Sequence, residues 1–250
     1  MINLKTTREL RYMRDAGKIS QEALLKAGEA VRPGVSTLEL DKIVRRTIEK
    51  AGAVPSFLGY GGFPASACIS VNNVVIHGIP SAHEILKEGD IVSIDVGAIY
   101  EGFNGDNAWT FPCGKVSEEA QKLMDATRES LFLAIEKAVP GNRIGDIGSV
   151  VQQYVEARNY SVVREFVGHG VGAKLHEDPS VPNYGTPGRG VRLLPGMTIA
   201  IEPMVTQGSC EVKILKDGWT TVTKDGKLAA HFEHSIAITP DGPVILTSLD

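Results

Sequence analysis

One offset constrains this chain more than any single motif. Pro33-Gly34 recurs as Pro140-Gly141, Glu49 as Glu156, Gly89 as Gly196 and Asp95 as Glu202, each pair 107 residues apart. Leu86-Lys-Glu-Gly-Asp-Ile-Val-Ser-Ile-Asp95 aligns with Leu193-Leu-Pro-Gly-Met-Thr-Ile-Ala-Ile-Glu202 at that same spacing. An offset shared by a helix break, a helix end and a strand is what a duplicated unit leaves behind. The expectation is a single domain over residues 1–250, built from two similar α/β halves of about 1–115 and 116–250. An acidic residue from the corresponding strand of each half would face the other, at a junction where pockets commonly form.

The elements around the repeat follow from local chemistry. Thr6-Thr-Arg-Glu9 and Ser36-Thr-Leu-Glu39 are capping boxes, each with a hydroxyl three residues before a carboxylate. Leu10, Met13, Ala16, Ala23, Leu24 and Ala27 keep helical spacing, so the first helix should reach about Ala30 and the second should close at Gly52. Ser117, followed by Glu118 and Glu119, opens a helix to about Ala138, and Ile144, Ile147, Val151, Tyr154 and Val155 mark another. Glycines crowd 59–62 into a loop. Residues 68–79, 197–205, 210–216, 219–223 and 231–239 read as strands, and a Gly/Pro-rich loop runs from Pro179 to Gly190.

Between the halves' helices lies a hairpin that poses a chemical problem. Ile91 to Val96 is β-branched and mostly apolar, yet it contains Asp95, and the returning strand carries Asp106. Buried carboxylates must be paired, hydrogen-bonded or bound to a cation. Two on neighbouring strands repel unless a metal lies between them. Glu202 and Glu233 likewise interrupt apolar strands, and His169 stands between glycines that can aim its imidazole. A single strand acid is usually an edge or ion-paired residue, but four with a Gly-flanked histidine form a metal-ligand set. Four carboxylates carry four negative charges, which two divalent cations neutralise and one does not. Carboxylate-rich ligation suits Mn or Fe, and the histidine leaves Co or Zn open. His77 and His176 can donate to a substrate carbonyl beside such a centre, whereas His83, His231 and His234 read as structural or as supports for the ligands.

Other classes are disfavoured. Apolar residues make up 42% and charged residues 22%, as in an ordinary globular protein, and a net charge of −4 offers no electrostatic case for nucleic acid or anionic membrane. Cys68, Cys113 and Cys210 are odd in number and lack CxxC spacing, so neither a disulfide framework nor a cysteine zinc site is expected. Met1 to Lys5 contains no signal-peptide core and no stretch reaches membrane-span length, which gives a cytoplasmic expectation.

The motifs together resemble type I methionine aminopeptidases of the short bacterial form. The resemblance rests on Phe63-Pro64, Val75-Ile-His-Gly-Ile-Pro80, Ile94-Asp-Val96, Gly105-Asp106, Gly168-His-Gly-Val-Gly172, His176-Glu-Asp-Pro179, Pro195-Gly-Met-Thr198, Ile201-Glu-Pro203 and Phe232-Glu-His-Ser235. They span nearly the whole chain in order. The resemblance implies a pseudo-symmetric pita-bread fold, α/β (α+β) in class, with an antiparallel sheet covered by helices. It implies hydrolytic removal of initiator methionine from nascent proteins, small second residues preferred, by a hydroxide bridging two metals.

Residue by residue, Asp95 and Glu202 would each mainly serve one metal, with His169 beside Glu202. Asp106 and Glu233 would bridge, and Glu202 would exchange a proton with the attacking water. His77 would meet the scissile nitrogen and His176 the carbonyl oxygen. Tyr60, Phe63, Cys68, Leu175 and Trp219 match the methionine pocket, although taken singly each reads as core packing. A monomer is expected, and ribosome contact is left open. Gly61, Asn104 and Leu175 depart from the commonest family pattern, which has histidine, histidine and phenylalanine at those positions.

Overall fold

The computed structural model describes residues 2–249; Met1 and Asp250, the two ends of the expected domain, lie outside the described residues. Four helices cover a curled antiparallel sheet: α1 (Thr7–Glu29), α2 (Thr37–Lys50), α3 (Glu118–Lys137) and α4 (Ile144–Glu156). Both expected capping boxes are made. Thr6 accepts from the Glu9 amide, and Ser36 accepts from the Glu39 amide, while each glutamate reaches back to the cap. A cap of this kind contributes about 1 kcal/mol.

The main sheet has nine strands. Its path runs from Val54–Pro55 through Ile91–Tyr100, Phe103–Pro112, Glu233–Thr239, Thr198–Ile201 and Gly168–Gly170 to Glu177–Val181. Ala67–Val71 also pairs with Ile91–Tyr100, and Gly242–Ile245 with Glu233–Thr239. The long strands of the first half therefore join the second half through the pairing of Phe103–Pro112 with Glu233–Thr239. Two smaller three-stranded sheets flank this body.

The duplication is written into backbone geometry. The Gly34 amide donates to the Leu86 carbonyl at 2.9 Å, and the Gly141 amide to the Leu193 carbonyl at 3.1 Å. Thr37 to Glu84 and Ile144 to Val191 are both 3.0 Å, and isolated bridges join Ser36 with Ile85 and Arg143 with Arg192. Every one of these pairs keeps the sequence offset. The turns repeat too: Gly34 and Gly141 have φ of 90° and 94°, Gly89 and Gly196 of 91° and 92°. That left-handed conformation is open to glycine and strained for most other residues, which explains why these particular glycines recur.

Each half has its own apolar core. Leu24, Leu40, Val44, Ile48, Ile69 and Ile94 pack under α1 and α2, while Leu123, Leu131, Ile147, Val151, Ile199 and Ile236 pack under α3 and α4. Helix α1 lies unusually close to the sheet, because a Cβ at Gly105 would overlap the backbone of Gly17.

Three expected strands are divided in the structure. The stretch 68–79 forms Ala67–Val71 and Val74–Ile76, separated by Asn72 at φ 55°. The Asn72 side chain donates to Asp90 and accepts from the Ile91 amide, which holds the turn. The stretch 197–205 breaks at Glu202-Pro203, where proline has no amide to donate. The stretch 231–239 breaks at Phe232, between Ala229–His231 and Glu233–Thr239. The loop expected from Pro179 to Gly190 begins inside the strand Glu177–Val181.

Candidate active site

Strand register explains how distant acids meet. Cys68 is opposite Asp95, Asp95 opposite Ala108, and Ala108 opposite Glu233, so a row crosses four strands. Directly opposed residues in an antiparallel sheet share a face, as do residues two apart on one strand. Asp106 therefore joins that face from two residues before Ala108. Ser235, two residues after Glu233, is opposite Ala200, which is opposite His169. Glu202, two residues past Ala200, completes the set. Ala108 and Ala200 are fully buried and small, which leaves room between the longer side chains.

All twelve candidate residues line one cavity of about 150 Å³. Asp95, Asp106, His169, Glu202 and Glu233 are there with His77 and His176, and Tyr60, Phe63, Cys68, Leu175 and Trp219 wall the rest. The thirteenth lining residue, Phe57, was not singled out from sequence. It packs with Phe63, Ala65, Cys68 and Leu175, and nothing in the sequence distinguishes it from a core aromatic beside a glycine-rich loop.

Ligand atoms of Asp106, His169 and Glu233 all lie within 4.8 Å of one another. His169 Nε2 is 3.7 Å from Asp106 Oδ2 and 3.6 Å from Glu202 Oε1. Its Nδ1 is held by the Gly170 carbonyl at 2.8 Å, so the Nε2 lone pair faces the acids. His231, which reads from sequence as structural or as a support for the ligands, stands behind this group. Its Nε2 is 3.8 Å from both Glu202 Oε2 and Glu233 Oε2.

The protein alone leaves this charge uncompensated. Burial pushes the Asp106 carboxyl up to about 7, and burial with the neighbouring acids pushes Asp95, Glu202 and Glu233 well above the usual carboxylate range. Burial and the nearby His176 hold His169 down at about 4, so its imidazole is neutral and able to coordinate. Burial likewise lowers His77 to about 4. Asp95 Oδ1, Asp106 Oδ1 and Glu233 Oε1 are buried with no hydrogen-bond partner. Buried acceptors without donors, beside a neutral imidazole, are the donor set of a divalent cation.

The pocket side is built differently. The Tyr60 hydroxyl and His176 Nδ1 are 2.8 Å apart, which leaves Nε2 as the free ring nitrogen. His77 adopts a left-handed φ of 59° and meets Phe166 and Trp219 edge to face, with centroids 5.6 and 6.1 Å apart. Such strain in a non-glycine residue is tolerated when surrounding contacts fix it. Phe63 and Trp219 form a further edge-to-face pair at 5.2 Å.

Metallopeptidase family M24 matches residues 11–240. The chain belongs to this family. It is 60% identical over 247 residues to the methionine aminopeptidase of Clostridium perfringens (strain 13 / Type A), covering 99% of each chain. It is 54% identical over 247 residues to methionine aminopeptidase 1 of Bacillus subtilis (strain 168), again covering 99% of each. The crystal structure of methionine aminopeptidase from Thermotoga maritima matches with a TM-score of 0.98 at 47% identity, covering 99% of this chain and 100% of that one.

The prolidase from Pyrococcus furiosus shares only the fold, with a TM-score of 0.78 at 23% identity, and this chain covers 66% of it. These relatives bear out both the resemblance to type I methionine aminopeptidases and the pita-bread fold. Membership in a metallopeptidase family agrees with the cluster of buried, unpaired donors. Among the described residues no helix is long and apolar enough to cross a membrane.

Proposed function

We propose that this M24 enzyme removes the N-terminal methionine from newly made proteins and peptides, with two divalent cations in its site and a preference for small second residues. One observation carries the reading: five metal-type donors, of which Asp106, His169 and Glu233 are buried and cluster within 4.8 Å, line the same cavity as aromatic, aliphatic and thiol side chains. An unbranched thioether side chain suits such walls, since it adapts to irregular apolar space and contacts aromatic rings favourably.

Asp95 and Glu202 would each mainly hold one cation, His169 would share the second with Glu202, and Asp106 and Glu233 would serve both. Mn, Fe, Co and Zn all suit the donors. When bound, the cations acidify water and polarise the scissile carbonyl. Glu202 would hold the proton given up by the attacking water and return it to the departing amine. His176 donates from Nε2 to the carbonyl oxygen as negative charge develops there, its ring oriented by the Tyr60 hydroxyl. His77 meets the scissile nitrogen. Tyr60, Phe63, Cys68, Leu175 and Trp219, with Phe57, hold the methionine side chain and exclude water. Burial and the surrounding acids raise the Cys68 thiol well above its ordinary value, so it lines the wall as a neutral group.

The whole chain acts as one catalytic domain, its halves meeting near residues 115 and 116. It works in the cytoplasm as a monomer on nascent chains, with ribosome contact as a further part of the reading.

The test is to strip the protein of metal and titrate Mn, Fe, Co and Zn against Met-Ala-Ser and Ala-Pro peptides. Free methionine is the expected product. Cleavage of Ala-Pro alone would select an Xaa-Pro peptidase, and no cleavage with any metal would leave a binding protein.

A further inference from the structure

The loop Gly172–Glu177 carries two pocket residues, Leu175 and His176, but it has no regular secondary structure until the strand that begins at Glu177. Besides the Tyr60 hydroxyl on His176, two remote polar groups hold it. Lys5, from the segment before α1, forms an ion pair with Glu177 at 2.5 Å, and these side chains are 5% and 8% exposed. Glu177 also accepts from the Lys174 amide at 3.2 Å, closing the loop on itself. The Lys5 amide is anchored on the Gly196 carbonyl at 2.7 Å, so the lysine is presented by a fixed backbone.

From the opposite side, Asn104 of the strand Phe103–Pro112 reaches the start of the loop. Its backbone amide donates to the Gly172 carbonyl at 2.9 Å. Its side-chain amide donates to the carbonyls of Gly172 at 3.0 Å and Ala173 at 3.3 Å. The Asn104 side-chain oxygen accepts from the Ser56 hydroxyl at 2.8 Å, which links the same network to the residue before Phe57. Gly172 completes the arrangement: a Cβ there would lie 2.5 Å from Lys5 Cε and 2.6 Å from Glu177 Oε1.

We propose that Lys5 and Asn104 are positioning residues, a two-point clamp that fixes the Gly172–Glu177 loop and thereby sets Leu175 as a pocket wall and His176 as a donor. Neither residue lines the cavity. The pair Lys5–Glu177 spans 172 residues of sequence, so the segment ahead of α1 completes the site in the second half. Asn104 departs from the commonest family pattern, and its place in the clamp gives that departure a physical content: an amide can donate to two carbonyls while accepting from a hydroxyl.

This inference rests on the peptidase reading, and the experiment separates the two. Metal-loaded wild type, Lys5→Met, Lys5→Met/Glu177→Gln and Asn104→Ala are compared on Met-Ala-Ser and Leu-Ala-Ser, with hydrogen exchange followed across 172–177. The double variant matters because Lys5→Met alone leaves a buried unpaired carboxylate and can lose stability for that reason. For the double variant, kcat/KM on Met-Ala-Ser falls roughly 10- to 100-fold, as for a displaced positioning group. The Met/Leu preference narrows, exchange rises in 172–177, and metal content stays at the wild-type level. Asn104→Ala gives the same pattern.

Inactive wild type would remove the functional reading itself. An active wild type matched by the double variant in kcat/KM and Met/Leu preference would overturn the clamp. So would a loss that leaves the preference and the loop exchange unchanged, because that is a general structural effect.

Discussion

The metal-type donors and the pocket walls are held in contrasting ways. Asp95, Asp106, His169 and Glu233 sit on strands of one sheet, and Glu202 directly follows another of its strands. Tyr60, Phe63, Leu175, His176 and Trp219 sit on a short 3-10 turn or on loops. Sheet register fixes the backbone positions of the donors through ladder hydrogen bonds. Loop walls are set one by one, by Tyr60 on His176, by ring contacts of Trp219, and by Lys5 and Asn104 on the 172–177 loop. The lesson is a division of labour: the sheet holds the metal-type donors, with Cys68 as the one candidate wall residue on a strand, while the loops hold His176 and the other walls, where the fit can change without disturbing the sheet.

The comparison is broken most severely at Asp106. Asp106→Asn keeps the side-chain volume but removes a charge from the centre of the donor group. Since changes beyond the ligands themselves cost about 10- to 100-fold, loss of a ligand charge should cost on the order of 10³-fold or more in kcat. Metal analysis should show reduced occupancy. A fully active, fully loaded variant would detach the reaction from the sheet.

The loop counterpart is His176→Ala. Removing one donor to a developing oxyanion costs about 10²- to 10³-fold in kcat. Here metal content should be unchanged, since the sheet donors are untouched. Equal loss of metal in both variants would mean that sheet and loop are not separate devices.

How much of this contrast was legible differs by region in the same physical sense. The donors were readable because a carboxylate in an apolar strand conflicts with its surroundings, and because Asp95 and Glu202 share the duplication offset. The helices were readable from capping boxes and spacing. The loop network was not. Lys5 reads as an ordinary surface lysine before a helix, and its partner Glu177 lies 172 residues away, a pairing that no local pattern encodes. Phe57 looks like any core aromatic. The division of the strand 68–79 depends on side-chain bonds of Asn72 with Asp90 and Ile91, again contacts across a fold that the local sequence does not display.

Metal binding sharpens the sheet side through stability. The folded metal-free protein holds Asp106 protonated up to about 7, against an ordinary value of 3.8. Its contribution to stability is present below 3.8 and is lost as pH rises toward 7, because only the unfolded chain ionises freely in that window. The buried histidines act oppositely. His169, His77 and His234 fall from 6.5 to about 4 and His231 to about 3, so their destabilising effect is relieved as pH rises to 6.5. Above 6.5 the acids act without that offset. A divalent cation would neutralise them, so at one fixed Mn concentration the gain in Tm should be larger at pH 7.5 than at pH 6; the stabilisation is about 2.7 kcal/mol where that concentration reaches 100 times Kd. Calorimetry at both pH values measures it; a gain that shrinks with pH would contradict metal binding by these acids.

The smallest effect belongs to a single methylene of the pocket wall. Leu175 is 6% exposed and packs with Phe57, Phe63, Ala65 and Cys68. Leu175→Val shortens the wall without adding polarity or charge, and none of its neighbours in that cluster is a metal-type donor. The freed space admits a branched side chain better and contacts methionine less. One methylene in an apolar pocket changes discrimination by roughly 10-fold at the low end, so the ratio of kcat/KM on Met-Ala-Ser to that on Leu-Ala-Ser should narrow by about that factor or less. The change should appear mainly in that ratio, with metal occupancy and the Mn-dependent gain in Tm as in wild type. If Leu175→Val instead lowered metal occupancy, the wall and the metal-type donors would be coupled through the loop, and the separation of fit from reaction would fail at its most sensitive point.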